Sequence, residues 1–420
     1  MSTSDFPHAV ASSRLTPAAK ELRGYPSSAR AETRFLVWLY LGTLSTRLFI
    51  GSTIYYFGYT DFFAGDAGTY DTFGWALAQY WAGNLHYGRW ILTHINRMGL
   101  NGMYYWVAGL YTLIGHSPAA ASAIQCAITS LTPVLAYRIS FRIYASTNAA
   151  RCAALLTAFL PSMVIWSCLL LKDPLVVFLA CVVVLSTLKL QQELRFIHVL
   201  PGALAMILIF PLRSYVFYFV LSAVLGTFLM ARFGRTASMG GYLARLGGLA
   251  LIAVVFFSLG FDQIAREQLN FRVLDQIQIS RTDLARRART GFEADADVST
   301  LRGAIAFLPK GIAYLLLAPF PWQTGSTRMM LALPEILLWY ALFPFFLIGM
   351  LYTARRHLRD ALIVFLFVAQ LTCFYAVFVG NVGTAHRQRT QVFVFYLIFT
   401  SAGLLYARRK NRQVFGTIQD

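Results

Sequence analysis

The stretch LPSMVIWSCLLLKDPLVVFLACVVVLSTLKL, residues 160–190, is a long apolar run in which only Lys172, Asp173 and Lys189 carry charge. About 20 apolar residues of helix cross the ~30 Å hydrocarbon core of a bilayer. Inside that core every backbone polar group must bond within the segment, which favours helices; a barrel shows short alternating segments instead. The stretch therefore reads as two membrane helices, about 152–171 and 174–190, meeting at Lys172 and Asp173. Pro174 takes the first helical position of the second, where its missing N–H costs nothing. The two charged residues admit two readings. They pair with each other at a helix entrance, or Lys172 faces a lipid phosphate while Asp173 orients an acceptor or a cation.

The rest of the chain repeats this pattern. Of its 420 residues 57% are hydrophobic, 15% aromatic and 13% charged, the balance of a membrane protein. The net charge of +18 is spread as short clusters between apolar runs, which marks topology and argues against a nucleic-acid partner. The expected fold is all-α, a polytopic transmembrane bundle of about ten spans. These lie near 35–57, 119–140, 152–171, 174–190, 197–212, 214–232, 246–261, 333–352, 361–379 and 391–407. Keeping Arg and Lys inside makes 1–34 and 411–420 cytoplasmic tails of a membrane domain 35–410, with outer segments 58–118 and 262–332. The first segment holds two shorter helices, about 69–83 and 101–115, expected at the membrane surface. FLPKGIAYLLLAPFPW (307–322) is expected to lie on the outer interface, because a crossing there would put ARRHLR (354–359) outside. No cleavable signal is expected before the first span. Cys126, Cys152, Cys168, Cys181 and Cys373 form no CxxC and read as small core residues.

This path leaves Asp61, Asp66, Asp71, Lys172, Asp173, Arg213, Lys310, Arg387 and Arg389 outside, on separate connections that could converge on one cavity. In FFAGDAGTYDTFGWALAQYW (62–81), Asp66 stands between Gly65 and Gly68, which leave room for a substrate. Its carboxylate suits a general base or a cation ligand; the competing reading is a helix cap. Tyr70, Phe73, Leu77 and Trp81 follow at helical spacing, an apolar stripe expected to face the membrane surface. GNVGTAHRQRTQ (380–391) is expected as a loop whose Arg387 and Arg389 either grip phosphate through their guanidinium forks or form an exposed basic loop, with His386 structural. Arg213 and Lys310 serve the same anion or snorkel. Arg47, midway along the first span, demands a partner inside the bundle that the sequence does not name. Residues 262–302 read as a solvated loop, since Glu293, Asp295 and Asp297 lack the glycine and terminal glutamate of a calcium loop.

Three stretches, GDAGTYDTFGWALA (65–78), YYWVAGLYTLIGHSPAAASAIQCAITSLTPVLAYRI (104–139) and LPSMVIWSCLLLKDPLVVFL (160–179), together resemble the GT-C class of membrane glycosyltransferases. Relatives in that class include the protein O-mannosyltransferases and the lipid A aminoarabinose transferases. The likeness implies a catalytic acid in the first outer loop, two juxtamembrane helices after it and a second Asp at the outer start of the fourth span; Asp66 and Asp173 hold those positions. It implies an inverting transfer from a polyprenyl-phosphate-linked sugar donor to a glycan or lipid acceptor among membrane lipids. The enzyme would be multi-pass in a bacterial inner membrane, with both termini cytoplasmic and the site on the outer face. Tyr70, Lys172, Arg213, Lys310, Arg387 and Arg389 would bind substrate, and no nucleotide cofactor is implied. Ala67 follows Asp66 where the class often has a second acid, so a divalent cation stays open, with Asp66 and Asp173 its candidate ligands. Two other readings stand beside this one: a polymerase or ligase of lipid-pyrophosphate-linked oligosaccharide working through the arginines alone, and a flippase for a lipid-linked glycan.

Overall fold

Each apolar run becomes a helix wherever the computed structural model describes the chain, over residues 29–98, 101–193, 195–230, 273–322 and 327–416. In chain order the helices are α1 (Ala29–Tyr56), α2 (Thr60–Phe63), α3 (Gly65–Trp81), α4 (Leu85–Met98), α5 (Gly102–Ile114), α6 (Pro118–Thr129), α7 (Thr132–Tyr144), α8 (Thr147–Phe159) and α9 (Pro161–Ile165). A 3-10 turn, Trp166–Cys168, leads to α10 (Lys172–Gln192), α11 (Phe196–Leu212), α12 (Ser214–Met230), α13 (Val273–Arg287), α14 (Leu301–Leu317), α15 (Thr327–Arg356), α16 (Leu362–Phe378) and α17 (Val382–Gly416). The described residues contain no strand, only an isolated bridge between Gly291 and Asn381.

Among the described residues five stretches are long and apolar enough to cross a bilayer: α1, Pro118–Tyr144, α10, Met329–Arg356 and Val382–Arg409. A sixth forms if α8 and α9, bent by 61°, count as one span. The cause of the bend is local. Pro161 has no N–H to continue α8 and forces the residue before it out of the helical region; Leu160 accordingly sits at φ −62°, ψ 130°. Buried Glu335 of α15 covers the break, accepting the Ser162 N–H and hydroxyl at 2.5 Å each. Helices α11, α12 and α16 are apolar but only 17 residues each. Length and composition of the described residues thus show five or six of the roughly ten expected spans, and the expected span at 246–261 lies outside the described residues.

Helix α17 is the central post. It touches α7, α8, α10, α14, α15 and α16, and residues Val392–Phe399 are buried on every side, as surrounded helices are. Its approach to α15 is backbone to backbone. A Cβ on Gly349 would lie 1.8 Å from the Phe399 carbonyl oxygen, and one on Gly403 1.9 Å from that of Phe345. Small residues at such crossings let membrane helices pack by close contact.

Four expectations change here. Residues 273–287 form a helix rather than a loop, and Arg281 is buried with its Nη1 donating to the Glu293 carbonyl at 2.7 Å. Helix α14 covers Leu301–Leu317, ending short of 322, and packs against α16 and α17. Most of the stripe on α3 faces protein rather than lipid: Tyr70 and Leu77 are buried and Phe73 stacks on His94 with ring centroids 3.7 Å apart, while Trp81 at the helix end is exposed. Protein supplies the cover because α4 and α5 both pack on α3. Finally, α17 begins at Val382, so Arg387 and Arg389 sit on its first turns and not in a loop.

Candidate active site

Four helix ends meet at one point, and each brings a charge. Asp66 lies in the first turn of α3, where a carboxylate is favoured by the helix dipole. It does not cap that helix; the N-cap is Ala64, which offers no side-chain bond. Lys172 and Asp173 open α10, Arg213 closes α11, and Arg387 lies one turn into α17.

Arg387 joins the ends. Its Nη1 donates to Asp66 Oδ2 at 2.7 Å and its Nε to Asp173 Oδ2 at 2.7 Å, so one guanidinium bridges two carboxylates from distant parts of the chain. Asp173 also accepts from Arg213 Nη2 and, at 2.7 Å, from Gln391 Nε2. Charge-assisted bonds of this kind keep a buried carboxylate from being an unpaired charge. Exposure rises across the group: 1% for the Asp173 side chain, 18% for Arg387 and 55% for Asp66. Asp173 is thus the anchored member and Asp66 the one that reaches solvent.

Lys172 differs from its neighbours. It is half-buried, the charges of Arg213, Asp173, Arg387 and Asp66 all act on it, and it makes no hydrogen bond or ion pair with any described residue. Of the two readings, the pairing of Lys172 with Asp173 is not formed, because Asp173 is taken by two arginines and a glutamine. Tyr70 stands nearby in α3. Burial, with the charges of Asp66 and Asp173 adding, pushes its phenol above the ordinary value, so it stays a protonated donor at neutral pH.

Other candidates fall away from this group. Arg389 is 1% exposed, and its Nη1 donates to the Leu316 carbonyl at 2.8 Å. Helical geometry turns residues two apart by about 200°, so Arg387 and Arg389 point to opposite sides of α17, and Arg389 serves to tie α14 to it. Lys310 pairs with Glu293 at 2.6 Å. Asp71 accepts from the Tyr111 hydroxyl at 2.6 Å and contacts His116 Nε2 at 2.8 Å, bracing α3 against the end of α5. His386 is buried beside Arg389, with its Nε2 unbonded.

Three participants had no place in the sequence reading. Gln391 follows Arg387 by four residues and so shares its face of α17. The Tyr375 hydroxyl donates to Gln391 Oε1 at 2.7 Å, and the Tyr215 hydroxyl, bonded by Arg213, lies 3.3 Å from that of Tyr375. Only knowledge of where α17 starts would have singled out Gln391. The two tyrosines carry no sequence signal among 22 in the chain.

As arranged, Arg387 holds both carboxylates. Chemically, the group offers one exposed carboxylate, two guanidiniums and a free ammonium. That combination has the chemistry to bind an oxyanion and to accept a proton next to it. No protein-family model matches this chain, and no curated protein matches it. The likeness to the GT-C class therefore rests on the residues themselves.

Proposed function

We propose that this is an integral-membrane glycosyltransferase of GT-C type, moving a sugar from a polyprenyl-phosphate-linked donor to a glycan or lipid acceptor at the outer face of a bacterial inner membrane. The observation that carries this reading is the Arg387 bridge between Asp66 and Asp173, with the unpaired Lys172 beside it. Three cations here face two carboxylates, leaving one positive charge for a ligand, which favours a monophosphate carrier over a pyrophosphate. A phosphate seated on Lys172 takes the Nη1 of Arg387 from Asp66, while the Nε of Arg387 stays on buried Asp173. Asp66 is then free to act.

The acceptor hydroxyl attacks the anomeric carbon from the face opposite the phosphate. Its proton passes to the Asp66 carboxylate, the bond from the anomeric carbon to the phosphate oxygen breaks, and the polyprenyl phosphate leaves with the electron pair. A single displacement inverts the anomeric centre. Lys172 and Arg387 stabilise the charge growing on the leaving phosphate, the kind of preorganised donor whose removal costs about two to three powers of ten in rate. Arg213 and Gln391 hold Asp173, and through it the angle of Arg387.

Purified protein in lipid bilayers, given a polyprenyl-phosphate-linked sugar and a lipid and glycan extract of a bacterial envelope, is expected to consume the donor and yield a new glycosidic bond detectable by mass spectrometry. Movement of the labelled lipid between leaflets with no new bond would instead identify a flippase. Activity that survives Asp66→Asn but not Arg387→Ala would identify the arginine-only polymerase or ligase.

A further inference from the structure

The start of α17, on which the direction of Arg387 depends, is held from outside its own helix. The first N–H groups of a helix have no partner within it, yet here each has an acceptor. The Val382 N–H donates to the Thr290 carbonyl at 3.0 Å, and the Ala385 N–H to the Asn381 carbonyl at 2.9 Å. Between them, the N–H groups of Gly383 and Thr384 donate to Asn381 Oδ1 at 2.7 and 3.3 Å. Asn381 is thus the N-cap. The Thr290 hydroxyl donates to the same Oδ1 at 2.9 Å, so Thr290 meets the helix start with both its carbonyl and its side chain. On the other side of the bridge between Gly291 and Asn381, the Phe292 N–H donates to the Gly380 carbonyl at 2.9 Å.

Residues 290–292 are themselves fixed by α13 and α14. A Cβ on Gly380 would lie 2.3 Å from the Arg281 carbonyl oxygen, and one on Gly291 1.8 Å from that of Ala285, so α13 meets both strands of the bridge backbone to backbone. Buried Arg281 lies with its guanidinium carbon 4.3 Å from the centre of the Phe307 ring while its Nη1 holds the Glu293 carbonyl. Phe292 stacks on Tyr314 of α14 with ring centroids 3.9 Å apart. Gln278 of α13 ties down the following turn, donating through Nε2 to the Ala296 carbonyl at 3.2 Å and accepting the Val298 N–H at 2.7 Å. A run of packed groups therefore connects α13 and α14 to the first turn of α17.

We infer that Asn381 and Thr290 are positioning residues: together they set where α17 begins and its rotational phase, and through these the direction of Arg387. The inference rests on the role proposed above for Arg387. That residue stands six positions beyond the cap, about 9 Å along the axis. Its two bonds reach carboxylates on α3 and α10, and a helix turns about 100° per residue, so the bridge to Asp66 and Asp173 needs this phase. Without the cap the free N–H groups turn to water and the helix unwinds toward Arg387. All three side-chain bonds at Asn381 use its Oδ1 as acceptor, so another capping residue with an oxygen serves in its place.

Hydrogen exchange and ligand binding in the full chain, in detergent, test this. Asn381→Leu is expected to speed amide exchange over 382–388 by about 2- to 30-fold, the range that losing a cap gives, and to weaken binding of a short-chain prenyl phosphate several-fold. Thr290→Val removes only the hydroxyl and should move both readouts in the same direction by less. Asn381→Ser, which restores a capping oxygen, should bring both back toward the wild type. With Arg387→Ala already present, Asn381→Leu should speed exchange as before but weaken binding no further, a result that general loss of stability does not give. Unchanged exchange over 382–388 in Asn381→Leu would overturn the inference. So would faster exchange with unaltered binding, or an equal further loss of binding beside Arg387→Ala, since either makes the bonds structural only. A wild type that binds no prenyl phosphate would instead remove the anion site proposed above, and with it the positioning role, even where the exchange results show that the cap holds the start of α17.

Discussion

Asp66→Asn separates two roles that the Arg387 bridge gives to one carboxylate. In the proposed reaction Asp66 accepts a proton, and in the structure seen it also competes with the donor phosphate for Arg387 Nη1. Loss of a positioned general base lowers the rate by about 10²–10⁴. The competition has the opposite sign. The Asp66 side chain is 55% exposed, so its pair with Arg387 is worth only the ~0.2–1 kcal/mol of a solvent-exposed ion pair. Removing it should tighten phosphate binding by about 1.4- to 5-fold. The amide keeps the size of the side chain, and Arg387 keeps its bond to Asp173, so the fold should hold. Binding of a short-chain prenyl phosphate, measured by calorimetry on wild type and variant in the same detergent, reads the second effect; donor turnover reads the first. Weaker binding in the variant would show that Asp66 helps to hold the phosphate, and the release step would be wrong. Undiminished turnover would remove Asp66 as the base. Absence of prenyl phosphate binding to either protein would remove the anion site itself.

Asp173→Asn should behave differently, because the carboxylate is 1% exposed and holds two guanidiniums. Uncovering charges at a buried pair costs about 3–5 kcal/mol, so the denaturant midpoint should fall clearly below that of Asp66→Asn. Lys172→Met should leave stability unchanged, since the ammonium has no partner to lose, and should weaken prenyl phosphate binding by about 10- to 150-fold, the ~1.5–3 kcal/mol of a charge-assisted bond. Gly349→Ala places a Cβ 1.8 Å from the Phe399 carbonyl oxygen and should force α15 from α17, costing about 1–3 kcal/mol or more; Gly109→Ala, with open space around it, serves as the control and should melt no lower than the wild type.

How far the sequence could be read depended on what each inference needed. Helices needed only apolar length, so α1, α10, α15 and α17 stand close to where the runs put them. Convergence needed only sidedness: placing Asp66, Asp173, Arg213 and Arg387 on one side of a bundle already confines them to one end, and there they meet. Partner choice needed more. Whether Lys172 or an arginine holds Asp173 depends on distances of an ångström or two, and neighbours in sequence are poor partners when side chains leave a helix start in different directions. The count of spans is left open for a related reason. Helices of 17 residues and a helix broken at Pro161 are apolar without being long, and hydropathy does not say whether packing lets them cross.

The two arginines of HRQRTQ show how one boundary can decide a site. Read as a loop, Arg387 and Arg389 are interchangeable cations with similar access to a ligand. With α17 starting at Val382, a turn of about 100° per residue sends Arg387 and Gln391 to Asp173 and sends Arg389 to the carbonyls at the end of α14. One arginine faces a possible substrate; the other is a structural pin that no ligand can reach while α14 stays in place. The same turn accounts for two arginines within three residues at one end of the bundle: each charge has partners, but on different sides of α17. A residue inserted between Arg387 and Gln391 would rotate the amide off Asp173 and leave that carboxylate to the two guanidiniums alone, without changing a single ionisable group in the chain.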